Sequence, residues 1–491
     1  MLHHNGTQGR VMGRAAALII ALGGVAVATA GLEVLYTKIP THPTSIVPGA
    51  IDLTGDPAET RFRAFEDLVL SPDGSHWMLK GRTQLGSDLE NIMLLGSGAS
   101  GTMFAQEGQP VHAGVAGELY DFFGSGVGRF NSLNHFAYSA RARGGVAANA
   151  QKVIYWDGAA FTMVTQQGDL YTSLEDLLPN PSGDEIVGNS IGSIHPLDDG
   201  RVGAHDSTII NIHTSRRPAI FYDNKMFHQR GVTQVPDLGG TLRLWKNMSA
   251  NTFYSSPDGN HWLCIGELET GSTTNDAVLV VNDATVIQEG NAIPGTSVIV
   301  AAIFRAEIAA SGDWYARGSI TGGGVWAVHN GTLVAKTGDP IMVDATELWG
   351  DTFLAFHGNA NGEWVLVGTT NEADAGRDTV LLTSTGGVLV REGDQVDLDG
   401  DGTLDDAYIG RGNNTLSAFE PNDTLLTDAG VVYFLASLRD GAGNDLNSDP
   451  TFGAPQAFLR YAPAAPLLGD MNCDGVVDTA DIDGFVLALV D

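Results

Sequence analysis

Two short stretches far apart in the chain are nearly identical: SPDGSHW at Ser71–Trp77 and SPDGNHW at Ser256–Trp262. Looser copies follow as ASGDWYARG from Ala310, NANGEWVLVG from Asn359 and TDAGVVYFLA from Thr427. Two weaker ones, LNHFAYSAR from Leu133 and LDDGRVGAH from Leu197, fill the early gap. The residue at the turn of each copy is Gly74, Asn134, Gly200, Gly259, Gly312, Gly362 and Gly430, a series spaced roughly 50–70 residues apart. A second landmark keeps step about 30 residues later. It runs through FAQEGQPV, VTQQGDLY, FHQRGVTQ, VIQEGNAI, VAKTGDPI and LVREGDQV, and carries Gly108, Gly168, Gly231, Gly290, Gly338 and Gly393.

The segments around these landmarks are short apolar runs rich in β-branched residues, such as DAVLVVNDATVIQEG and GVWAVHNGTLVAKTG, broken at Asn-Gly or Asn-Asp turns. Further runs, such as TSVIVAAIFRAEI and TELWGDTFLAF, precede the first landmark. Each unit therefore offers about four strands, and seven such units predict an all-β fold, a seven-bladed β-propeller of four-stranded antiparallel blades. A single blade cannot bury both of its faces, whereas a ring of blades does so and removes most exposed edges. A helical solenoid would need apolar spacings of three and four over longer, glycine-poor segments, which are not present. The seventh unit has VVYFLASL and QAFLRYAP but lacks the second landmark. The missing strand is expected from the other end of the chain, in LEVLYTKIP from Leu32, which would close the ring.

Composition agrees with a globular, turn-rich chain: of 491 residues 63 are Gly, 43% are hydrophobic and 17% charged. With 58 acidic against 26 basic residues the formal charge is -32, a field that repels phosphate backbones and disfavours nucleic acid as a partner. The first 30 residues read as a signal peptide, with Arg10 and Arg14 before the apolar stretch Ala15–Ala28 and a small-x-small site at Ala28-Thr29-Ala30. The chain is therefore expected to be secreted, with no membrane span in the mature form; the competing reading is an anchored N-terminal helix. The expected division is 1–30 signal peptide, 31–461 propeller, 462–468 linker and 469–491 a calcium-binding repeat. The two cysteines, Cys264 in an apolar run and Cys473 near the C-terminus, do not make a disulfide framework, and burial accounts for Cys264 without a bond between them.

All eight Trp residues track the repeat. Trp77, Trp262, Trp314 and Trp364 share one place, Trp156 and Trp326 approximately a second, and Trp245 and Trp349 precede the first landmark. Blade packing explains them, with an aromatic carbohydrate platform as the alternative. His76 and His261 coincide between repeats and read as structural. SPDGSHW resembles the Asp-box turn of sialidase-like propellers, Ser-x-Asp-x-Gly-x-x-Trp, but Asp73 is followed directly by Gly74, so one residue is missing. The Asp box is a folding motif, and the resemblance implies no catalysis. No nucleophile elbow, phosphate loop or dinucleotide fingerprint stands out.

Two acidic stretches suggest calcium. In DLDGDGTLDDAY (Asp397 to Tyr408), Asp397, Asp399, Asp401 and Asp405 fall at positions 1, 3, 5 and 9 of a calcium loop, and Thr403 would offer its carbonyl. Position 12 is Tyr408, and the alternative is a solvated acidic turn. In DMNCDGVVDTAD, Asp470, Asn472, Asp474, Asp478 and Asp481 occupy positions 1, 3, 5, 9 and 12, Gly475 allows the turn, and Val476 would offer its carbonyl. Ile482, Phe485, Val486 and Leu489 then fall on one face of a helix. This terminal loop and helix resemble one repeat of a type I dockerin, similar to those ending many planctomycete secreted proteins. The resemblance spans Gly469–Asp491 and implies calcium-dependent docking to a cohesin-like protein, often in polysaccharide degradation. A dockerin normally pairs two such repeats, and one is present here.

The sequence thus points to a secreted, non-catalytic propeller, a scaffold or binding protein, with Ca2+ sites and a C-terminal docking motif. The alternative is a propeller-fold glycoside hydrolase or polysaccharide lyase delivered by the same motif. An enzyme should carry carboxylates or arginines unrelated to the repeat, clustered on one propeller face.

Overall fold

The computed structural model describes residues 31–51, 60–171, 185–210, 217–412, 417–446 and 456–463. The expected signal peptide, the terminal calcium loop with its five side-chain ligands and Val476, and Cys473 lie outside the described residues. Leu32–Ala462 form one compact unit. Among the described residues there is no α-helix, and none is long and apolar enough to cross a membrane.

The strands form seven sheets. Blade 1 is β2 (Phe62–Leu70), β3 (Trp77–Thr83), β4 (Asn91–Ser97) and β5 (Ser100–Gln106). Blade 2 is β6 (Leu119–Phe130), β7 (Phe136–Arg143), β8 (Gln151–Trp156) and β9 (Phe161–Gln166). Blade 3 is β10 (Ile191–Pro196), β11 (Val202–Asp206), β12 (Ala219–Tyr222) and β13 (Lys225–Gln229). Blade 4 is β15 (Leu242–Ser255), β16 (Trp262–Leu268), β17 (Ala277–Val281) and β18 (Ala284–Gln288), with the short β14 (Gln234–Pro236) beside β15. Blade 5 is β19 (Val300–Ile308), β20 (Trp314–Ile320), β21 (Val325–His329) and β22 (Thr332–Lys336). Blade 6 is β23 (Trp349–Gly358), β24 (Trp364–Thr370), β25 (Thr379–Thr383) and β26 (Gly387–Arg391).

Blade 7 joins the two ends of the unit. Its strands are β28 (Phe419–Leu426), β29 (Val432–Arg439), β30 (Gln456–Ala462) and β1 (Gly31–Thr37), with β27 (Tyr408–Ile409) alongside β29. The fold is therefore a seven-bladed β-propeller, closed by the N-terminal strand as the sequence predicts.

The repeated SPDG stretch is the turn between the first and second strands of a blade. Ser71 Oγ donates to Asp73 Oδ1 (2.6 Å), Asp73 accepts from Ser75 N (2.9 Å), and His76 N donates back to Ser71 Oγ (2.9 Å). Ser256, Asp258, Asn260 and His261 repeat the pattern. Gly74 and Gly259 hold φ of +71° and +70°, where a Cβ would be strained. The second landmark has a different task. Gly290 N–H donates to Val300 O of the next blade's first strand (2.9 Å), and Gly108, Gly168, Gly231, Gly338 and Gly393 make the same kind of bond to the segment entering the next blade. The two landmarks keep step because one turns the chain within a blade and the other hands it to the next.

Side chains alternate between the two faces of each sheet. In β3, Trp77 and Leu79 pack toward blade 7, whereas Met78 packs toward blade 2. In β29, Tyr433 and Leu435 face blade 1, while Phe434 and Ala436 face blade 6. Both faces are buried, so these strands read as unbroken apolar runs. Six of the eight Trp residues are buried, and the other two are partly so, in keeping with blade packing.

Candidate functional site

The first strands of the seven blades meet around a central cavity. Two positions before the first residue of each turn, the chain carries in order Val69, Arg129, His195, Tyr254, Glu307, His357 and Leu425. All seven line two adjoining cavities, of about 360 Å³ and 110 Å³. The repeat fixes where these side chains stand, but their chemistry differs from blade to blade.

Arg305 anchors the charged part. Its Nε and Nη2 donate to Glu307 Oε1 at 3.0 and 2.9 Å, and Glu307 Oε2 lies 3.5 Å from His357 Nε2. Leu426 N donates to His357 Nδ1 (3.1 Å), which keeps the ring proton on Nε2, toward Glu307. Burial by itself would raise Glu307, but the charges of Arg305, His357 and Arg129 outweigh it and hold the carboxyl below its ordinary range. Asp423 shows the opposite behaviour. Burial and the nearby Asp67 charge push it well above the usual carboxylate range, although it accepts a hydrogen bond from Leu68 N (3.1 Å). One cavity is thus bordered by a carboxyl held below the ordinary range and one pushed above it.

His195 donates from Nε2 to Phe253 O (3.0 Å), leaving Nδ1 as an acceptor. Burial and the Arg129 charge push it down to about 3, so the ring is neutral at ordinary pH. The guanidinium carbons of Arg129 and Arg305 lie 5.5 and 5.2 Å from the centre of the Tyr254 ring, within cation–π range. Arg129 otherwise donates only to the carbonyl of Gly128 (3.1 Å) and has no ion-pair partner among the described residues.

The first strands are also kinked at the cavity. Ser193, Asn251 and Asn422 hold φ of +51°, +58° and +70°, each within a break in register of β10, β15 or β28. All three line the larger cavity. Left-handed non-glycine residues at bulges re-aim side chains, a feature concentrated at functional sites.

The Asp397–Asp405 stretch forms a loop between β26 and β27. Carboxylate oxygens of Asp397, Asp399 and Asp405 lie within 4.8 Å of one another, in the manner of oxygen donors around one hard cation. Asp401 is outside this group; its Oδ1 accepts from Thr403 N (2.7 Å), and Thr403 is exposed. Asp397 accepts from Gly400 N and Gly402 N, both at 2.7 Å. Cys264 is buried in β16, and burial pushes its thiol up to about 12, leaving it unreactive. The cavity residues were not singled out in the sequence. Their signal was Arg305 and Glu307 inside the otherwise apolar run TSVIVAAIFRAEI.

No family model and no curated protein matches the chain. Among solved structures, the Dos1 propeller aligns at 10% identity over 84% of this chain and 94% of that one, with a TM-score of 0.34. The β-propeller domain of the Trilobed protease from Pyrococcus furiosus aligns at 11% identity over 64% and 80% of the two chains, with a TM-score of 0.32. Prolyl oligopeptidase B from Galerina marginata aligns at 10% identity over 80% of this chain, with a TM-score of 0.34, and this chain spans 48% of its length.

Proposed function

We propose that the chain is a secreted binding protein whose propeller holds a small polar ligand in its central cavity. The observation that carries this reading is the Arg305–Glu307–His357 cluster together with Arg129, which has no ion-pair partner among the described residues; Arg129, Glu307 and His357 stand at equivalent positions of a ring that packing alone would fill with apolar side chains. Taking an ion out of water costs on the order of several kcal/mol, and removing one partner of a buried pair is strongly destabilising, so a pure scaffold gains nothing from a half-buried charged cluster that includes a cation without a carboxylate. Secretion rests on the N-terminal pattern. The acidic segments are proposed to take up Ca2+, on ligand spacing and, at Asp397–Asp405, on the converging carboxylates. The C-terminal segment is proposed to dock to a cohesin-like partner, with polysaccharide as the setting, on the resemblance alone.

Thermal-shift screening of the full chain against sugars and organic acids tests the binding reading. Hits lost in Glu307→Gln and His357→Ala support it; hits indifferent to both place the ligand elsewhere.

One observation favours a second reading, a glycoside hydrolase. Glu307 and Asp423 border one cavity with their carboxyls pushed in opposite directions, Glu307 below and Asp423 above the ordinary range, which is the split that a base and an acid in such chemistry need. Turnover of aryl glycosides, abolished by both Glu307→Gln and Asp423→Asn, would establish it. Binding without turnover would exclude it for those substrates.

A further inference from the structure

We infer that the larger cavity is a subsite for a polyhydroxy carboxylate, an acidic sugar of about one hexuronate ring, with its carboxylate on Arg129 and its hydroxyls on Ser193 and His195. This rests on the central cavity being the binding site and names the class of ligand.

The charges lining the cavity select the carboxylate. Lys80 pairs with Glu66 (2.8 Å) and Arg305 with Glu307 (2.9 Å), leaving Arg129 as the lining cation that has no carboxylate of its own among the described residues. A guanidinium presents a planar fork that matches one carboxylate with two parallel hydrogen bonds. A phosphate would bring a second negative charge toward Glu66, Asp67 and Glu307, which border the same space, so a monoanion fits better.

Two neutral groups lining the same cavity as Arg129 suit hydroxyls. Ser193 is 7% exposed, lines the cavity, and its Oγ has no hydrogen-bond partner. A buried hydroxyl left unpaired is destabilising, and Ser193 is held there in a left-handed conformation within a bulge. Strain and an unmet hydrogen bond at one residue point to a partner from outside the chain. His195, two residues on, keeps Nδ1 as an acceptor because Nε2 is committed to Phe253 O. A donor-or-acceptor hydroxyl next to a pure acceptor is complementary to a pair of sugar hydroxyls. The volume of about 360 Å³ lies at the small end of ligand cavities, room for one ring rather than a chain.

The test is isothermal titration calorimetry of the full chain with glucuronate, galacturonate, glucose and galactose. At least one uronate should bind about 10-fold or more tightly than its neutral counterpart. Arg129→Gln should abolish that preference, a loss of about 10- to 100-fold for the acid. Ser193→Ala should weaken the acid by about 2- to 10-fold, and the exposed Arg141→Gln should change nothing. If Arg129→Gln does not fold, Arg129→Lys, which keeps the charge and loses the fork, should show a smaller loss of the same preference. Neutral sugars binding as well as uronates, or uronates indifferent to Arg129, would overturn the carboxylate assignment and leave the cavity as a binding site. Silence toward all four sugars, with some other compound bound in an Arg129- and His357-dependent way, would also overturn only this inference. No ligand at all, in a screen insensitive to every cavity variant, would overturn the binding reading with it.

Discussion

Tyr36 joins the N-terminal strand to the first blade, and its removal measures what ring closure contributes. The side chain belongs to β1, the outermost strand of blade 7, yet its neighbours come from both sides of the seam. Its ring centroid lies 5.2 Å from Phe62, 6.1 Å from Trp77 and 6.4 Å from Phe458. Its hydroxyl accepts a hydrogen bond from Gly101 N (3.0 Å) in β5. Tyr36 is 8% exposed, so Tyr36→Ala forfeits nearly all the burial of an aromatic ring. Substitutions of that kind cost about 3–5 kcal/mol, and the orphaned Gly101 N–H adds about 1 kcal/mol. The expected total is about 4–6 kcal/mol. Tyr36→Phe keeps the ring and should cost about 1 kcal/mol. Urea denaturation, followed in parallel by Trp fluorescence and far-UV circular dichroism, reads both values if the two probes coincide. The exposed Leu133→Ala should stay within about 0.5 kcal/mol of the parent. A loss under about 1 kcal/mol for Tyr36→Ala would mean that β1 is an accessory to an already closed ring.

The buried histidines predict an acid-sensitive fold. His195 and His205 are pushed down by burial to about 3 and about 4, so below about pH 6.5 the unfolded chain binds protons that the native one refuses. Their contribution to stability is complete above pH 6.5 and falls by up to about 1.4 kcal/mol per pH unit for each ring as the pH drops toward the folded values. The double variant His195→Gln, His205→Gln should flatten this slope in denaturation measured from pH 7.5 to 4.5. At the acidic loop, Asp405→Asn should weaken calcium binding measured by calorimetry, and an unchanged isotherm would show the loop to be a solvated turn. At the C-terminus, Asp474→Ala and Asp481→Ala should each weaken calcium binding strongly in calorimetry while Asp483→Ala does not. Ending the chain at Ala462 should leave the propeller's unfolding midpoint within about 2 °C, since the blades bury their own cores.

The sequence by itself settled the architecture, because propeller folding is local and repetitive. Ser71 and Ser256 can be matched by eye since both close the same hydrogen-bonded turn, and Gly108 and Gly290 recur because every hand-over between blades needs the same backbone geometry. The missing seventh strand was legible for the same reason: six complete units left one unpaired edge, and one apolar stretch at Leu32 remained to fill it. The central site was not legible. Arg129, His195, Tyr254, Glu307 and His357 lie in five different blades, separated by whole repeats in the chain. They share a cavity only because the ring brings the same position of every blade to one axis. Within its own strand none of them marks itself as one member of a set, and the left-handed bulge at Ser193 has no local mark at all. Periodicity encodes what the repeats have in common, whereas the site is made of what they do not share, and only closure of the ring puts those differences side by side.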